Sequence, residues 1–166
     1  MSKRKPYRGP KYRPGIIGAG LVLNRINHRG EDNAALRDDQ QVDLGAGYRL
    51  ALLNLTHGTA SRESWECVVC ALNIALTLAE SVFQHQHEDD IVKALDGAFR
   101  ANIRFRTTGN FRLDGTALND VKFALEVHEG QLKLAHRKEI LAAMATVQER
   151  IKAGHVYTSE VHHEHG

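Results

Sequence analysis

The stretch from about residue 62 to residue 82 constrains the fold more than any other part of the chain. Between Trp65 and Glu80 its polar side chains are Glu66, Asn73, Thr77 and Glu80, spaced 7, 4 and 3. At helical periodicity those positions fall on one narrow stripe, and the rest of the circumference is apolar. Such a helix must be covered by neighbours on most sides, so it is predicted at the centre of a bundle. Asn73 and Thr77 interrupt its apolar run, which falls well short of the ~20 residues needed to span a bilayer.

Other segments supply the neighbours. A first helix is predicted from about residue 46, marked by Leu50, Leu52 and Leu53 and stopped by Gly58. Ser61 is the predicted N-cap of the central helix, with Glu63 placed well against the dipole. A third helix starts at Asp89 or Asp90 and carries Ile91, Leu95, Ala98 and Asn102 on one face. Arg100, Arg104 and Arg106 sit in its last turns, where positive charge suits the dipole. Phe111–Leu113 reads as a short extended link. Asp114 or Thr116 caps a fourth helix with a stripe at Leu118, Val121, Leu125, His128 and Leu132. A fifth, about 136–153, repeats the spacing at Ile140, Met144, Val147 and Ile151, and Gly154 ends it. No strand-like alternation of useful length is present.

The prediction is therefore an all-α antiparallel bundle of four to five helices with a basic, mostly unstructured N-terminal arm. Residues 1–44 form the Pro/Gly-rich arm and linker, with one short helical turn around Ala34–Arg37. Residues 45–154 form the bundle, and residues 155–166 a His-rich tail.

Charge divides along the same line. The whole chain carries a formal +2, but residues 1–30 hold eight Lys/Arg and no acid. The other 136 residues hold fourteen Lys/Arg against all twenty acids. In the arm, Lys3, Arg4, Lys5, Arg8, Lys11 and Arg13 alternate with Tyr7 and Tyr12. Cations neutralise phosphates and release counterions, and tyrosines stack on exposed bases. These eight residues are the predicted nucleic-acid contacts, against the plainer reading of a solubilising tail. The three prolines and the missing small-residue cleavage site argue against a secretory leader. A cytoplasmic protein without membrane attachment is the expectation.

Chemistry-bearing motifs are weak. Cys67-Val-Val-Cys70 lies inside the most apolar helix, away from any βαβ pattern, so core packing is favoured over a redox or zinc role. Gly15-Ile-Ile-Gly-Ala-Gly20 has the wrong spacing for a dinucleotide loop and reads as a hinge. His128 on an apolar stripe is predicted to be a core histidine with a hydrogen-bonding partner. His155, His162, His163 and His165 lack the supporting shell of a defined metal site. No nucleophile constellation stands out around Ser61, Ser64 or the cysteines, and neither catalytic residues, metal nor cofactor are assigned.

Residues 56–79, THGTASRESWECVVCALNIALTLA, show a short turn, a Thr/Ser-Arg cap and a long apolar helix. Residues 111–132, FRLDGTALNDVKFALEVHEGQL, show a basic link and a helix with a His-x-x-Gln-Leu ending. Behind a Lys/Arg-rich start, this pairing resembles a group of small helical proteins of proteobacterial phages and prophages, over about residues 45–153. The resemblance implies no activity. It singles out Arg62, His128 and Gln131 as a polar cluster. The chain departs from the group in its longer glycine-rich N-terminal segment.

The function expected from these readings is non-enzymatic, accessory or regulatory. The helical body would bind a protein partner, and the arm nucleic acid or an acidic surface. The alternative is a pure protein–protein module, an inhibitor or a helical oligomer, with an incidental tail.

Overall fold

The structure, a computed structural model, describes residues 34–156 and the pair Tyr7–Arg8. Five helices follow one another: α1 (Asp38–His57), α2 (Arg62–Ser81), α3 (Glu88–Thr108), α4 (Gly115–Leu134) and α5 (Arg137–Lys152). The all-α architecture agrees with the sequence.

Helix α2 is the centre, packing against each of the other four. Every residue from Val68 to Ala79 is buried. Its polar stripe is satisfied largely within the helix. Asn73 donates to the Val69 carbonyl, Thr77 to that of Asn73 and Ser81 to that of Thr77. Back-bonding of this kind lets short polar side chains sit in a core without a partner from another element. From α5, Arg150 reaches the Thr77 hydroxyl at 3.4 Å and the Glu80 carboxylate at 2.6 Å.

The predicted stop of α1 and the predicted caps of α2 and α4 act as read. Gly58 takes a left-handed conformation at φ 72°, which closes α1 and which L side chains adopt at a cost. The Ser61 hydroxyl accepts from the Ser64 amide, and the Asp114 carboxylate accepts from that of Ala117. The core faces of α3, α4 and α5 follow the predicted stripes, with Leu118 and Ile151 half-buried.

Three expectations need correction. First, α1 begins at Asp38 rather than near residue 46, and Ala34–Arg37 forms no helical turn ahead of it. The Arg137 amide donates to the Ala34 carbonyl, Ala35 bridges His136, and Leu36 is buried in the core. This anchor fixes the chain just ahead of a stretch whose polarity read as loop. Second, the core side of α1 is Leu44, Tyr48, Ala51 and Leu55. Leu50 and Leu53 face outward and Leu52 is half-buried. Third, the predicted arm and the predicted tail meet in one short backbone pairing. Tyr7–Arg8 (β1) pairs antiparallel with His155–Val156 (β2), Tyr7 opposite Val156 and Arg8 opposite His155.

Candidate nucleic-acid interface

The antiparallel run of α1 to α4 brings four chain segments to one end of the bundle. They are the close of α1, the start of α2, the last turns of α3 and the link into α4. The Leu113 amide reaches the Leu55 carbonyl there at 3.4 Å.

Aromatic packing organises this end. Phe105 of α3 and Phe111 of the link stack with centroids 3.8 Å apart and planes 6° from parallel. Trp65 also stacks with Phe111, centroids 5.6 Å apart, and its indole N–H donates to the Ala98 carbonyl at 2.8 Å. Trp65 and Phe111 are buried and Phe105 is half-buried. The Arg62 guanidinium lies 5.5 Å from the Phe105 centroid and 5.8 Å from that of Phe111. A flat cation over aromatic rings is held in place while its remaining N–H donors face water.

Further arginines lie on the adjoining end of α3 and the link. Arg104 donates to the Arg112 carbonyl, which fixes the link against α3. Arg100 and Arg104 reach the Asp114 carboxylate at 3.3 and 3.7 Å. That carboxyl is held below the usual range, first by the Ala117 amide and then by the two guanidinium groups. Arg112 and Arg106 are exposed. Arg62, Arg100, Arg104 and Arg112 thus share one surface, with Arg106 in the same last turn of α3 and Asp114 inside the group. Guanidinium forks of this kind suit phosphate oxygens.

The polar cluster expected of Arg62, His128 and Gln131 divides. His128 and Gln131 are neighbours near the other end of the bundle, with Nδ1 3.4 Å from Oε1, while Arg62 sits on the phenylalanine pair. Gln131 also donates to the Ala75 carbonyl of α2 at 3.1 Å. Burial of His128 is complete, its ring stands 5.5 Å from that of Tyr48, and its Nε2 has no partner among the described residues. Burial pushes the imidazole down to about 4 against the opposing effect of Gln131, so it is neutral at pH 7. This arrangement is a core histidine, held by a residue one turn along its own helix.

Cys70 is buried, and its thiol is pushed up to about 12, by burial first and then by Cys67. A thiol of that kind is a poor nucleophile at neutral pH. Among the described residues no three His, Cys, Asp or Glu side chains are grouped to hold a metal ion. No helix among them is long and apolar enough to cross a membrane. Of the predicted nucleic-acid contacts, Tyr7 and Arg8 are placed by their backbone pairing. Lys3, Arg4, Lys5, Lys11, Tyr12 and Arg13 lie outside the described residues, as do Gly15–Gly20, His162, His163 and His165.

The arginine surface was partly visible in the sequence as Arg100, Arg104 and Arg106. Their approach to Arg62 and Arg112 depends on tertiary packing, which no local pattern encodes. The fold and site together define an all-α bundle with an arginine and aromatic end. Comparison with protein-family models, curated proteins and solved structures found no match.

Proposed function

We propose that the protein is a non-enzymatic accessory protein that binds nucleic acid, using the arginine end of its bundle together with its basic arm. The observation that carries this reading is Arg62 over the Phe105–Phe111 stack, with Arg100 and Arg104 held on Asp114 and Arg112 exposed on the link between them. The body as a whole carries more acid than base, so cations collected at one end indicate a surface set apart for an anionic partner. Arginine contacts of this kind supply electrostatic affinity without sequence readout. The resemblance to small helical phage and prophage proteins is in keeping with an accessory role.

The test is fluorescence anisotropy with a labelled single-stranded oligonucleotide over a range of salt concentrations. Affinity should fall steeply with salt. Each phosphate contact removed should lower the logarithmic slope by about 0.7. Arg62→Gln with Arg112→Gln should lower the slope, and removal of residues 1–14 should lower it further. Binding unchanged in both variants would rule out this surface and the arm alike.

The second reading, a protein–protein module, is favoured by a different observation. Val42, Leu50 and Leu53 are apolar side chains that α1 leaves largely exposed.

A further inference from the structure

Helix α1 carries two apolar faces, and the bundle uses one. Leu44, Tyr48, Ala51 and Leu55 turn inward. On another face Val42, Leu50 and Leu53 are 68%, 60% and 51% exposed, with the exposed Ala46 between them. Successive positions Asp39, Val42, Ala46, Leu50, Leu53 and His57 are spaced 3, 4, 4, 3 and 4. At 100° per residue they stay within one stripe, the seam spacing of a helix that packs on another helix. One flank of the stripe borders a groove of about 420 Å³ between α1 and α4, lined in part by Val42, Ala46, Glu129 and Leu132.

We infer that this face pairs with the same face of a second copy, α1 against α1 in antiparallel orientation. The stripe is nearly palindromic, so reversing it sets Asp39 opposite His57, Val42 opposite Leu53, and Ala46 opposite Leu50. Each layer is then complementary: an acid meets the histidine at the far helix end, two apolar side chains meet, and the largest gap receives a leucine. A parallel pair would instead set Asp39 against Asp39, His57 against His57, and Ala46 against Ala46 with space between. A two-fold interface demands this kind of self-complementarity. The acidic start and His57 at the end also complement one another head to tail.

Size sets the strength. From Asp39 to His57 the stripe is about 27 Å long at 1.5 Å per residue. With a width of about 10 Å it covers roughly 300 Å². A standard stable interface buries about 800 Å² per partner. The pairing is therefore weak and concentration-dependent, and it does not depend on the nucleic-acid reading.

Sedimentation velocity of the full chain over a wide concentration range should show a reversible monomer–dimer equilibrium. Leu50→Lys with Leu53→Lys should weaken it at least tenfold, with an unchanged helical circular dichroism spectrum because both side chains are exposed. Orientation is read by oxidative cross-linking against the parent chain as background. Val42→Cys protein mixed with Leu53→Cys protein should cross-link as a heterodimer, and Val42→Cys alone should not. A parent chain monomeric at every concentration would overturn the inference. So would an equilibrium insensitive to the leucine substitutions, or cross-linking of Val42→Cys to itself in preference to the mixed pair.

Discussion

Gly97 of α3 lies so close to Ala117 of α4 that a Cβ at position 97 would stand 2.6 Å from the Ala117 Cβ and 3.0 Å from its Cα. The two helices cross at contact distance because residue 97 has no side chain. Gly97→Ala gains about 1 kcal/mol of helix propensity, but overpacking costs about 1–3 kcal/mol. The Ala117 backbone cannot yield unless α4 moves, so the cost should prevail and the melting temperature should fall by several degrees. Gly47→Ala is the control, since a Cβ there meets nothing within 4 Å. It should raise the melting temperature. A stabilised Gly97→Ala chain would show that α3 and α4 pack less tightly than described.

The buried His128 makes stability depend on pH with a definite sign. Its pKa falls from 6.5 to about 4 on folding. The unfolded chain therefore takes up a proton that the folded chain refuses as pH drops below 6.5. Stability from this group is full above that value, declines with acidification, and levels off near pH 4. The loss is on the order of 3 kcal/mol. Denaturant midpoints measured across this window should fall more steeply for the parent than for His128→Gln, which has no proton to take up. Parallel curves would show that the imidazole is reached by solvent.

Legibility in the sequence followed periodicity. Helices α2 to α5 were readable because their apolar positions recur at helical spacing, with Ser61 and Asp114 capping α2 and α4 locally and Gly58 marking the end of α1 ahead of them. The start of α1 was not, because Asp38 to Asp43 is polar apart from Val42 and Gly45 and Gly47 disfavour helix. Tertiary contacts at Ala34, Ala35 and Leu36 override that preference. The leucines of α1 fit two phases of one helix, and only packing decides that Leu55 enters the core while Leu50 and Leu53 stay outside. His128 was identifiable as a core histidine from its stripe. The separation of Arg62 from it was not, since the two lie on different helices and at different ends.

Thiol chemistry separates the two cysteines. Cys70 is buried with its thiol pushed up to about 12, whereas Cys67 is half-buried. In the native chain a small alkylating reagent near neutral pH should leave Cys70 unmodified, and denaturant should expose both residues to it. Mass spectrometry of peptides after a timed pulse reads the difference. Rapid native modification of Cys70 would mean that α2 opens locally far more often than its packing implies.

Asp114 connects the stability of α4 with the charge of the arginine surface, and two substitutions separate these roles. Its carboxylate caps α4 through the Ala117 amide at 2.8 Å and also meets Arg100 and Arg104. Asp114→Ala removes the cap and should cost about 1 kcal/mol. Asp114→Asn keeps a cap of similar quality while removing the charge. It should fold nearly as well at neutral pH and bind a single-stranded oligonucleotide several-fold more tightly at low salt, because two guanidinium groups lose their internal counterion. The folded carboxyl is held below its usual value. Its contribution is thus present above the unfolded carboxylate range and lost as pH falls through the folded value. The Asn variant should lack that acid-side loss. If Asp114→Asn bound the oligonucleotide no better than the parent, Arg100 and Arg104 would be structural residues, and the binding at this end would fall to Arg62 and Arg112.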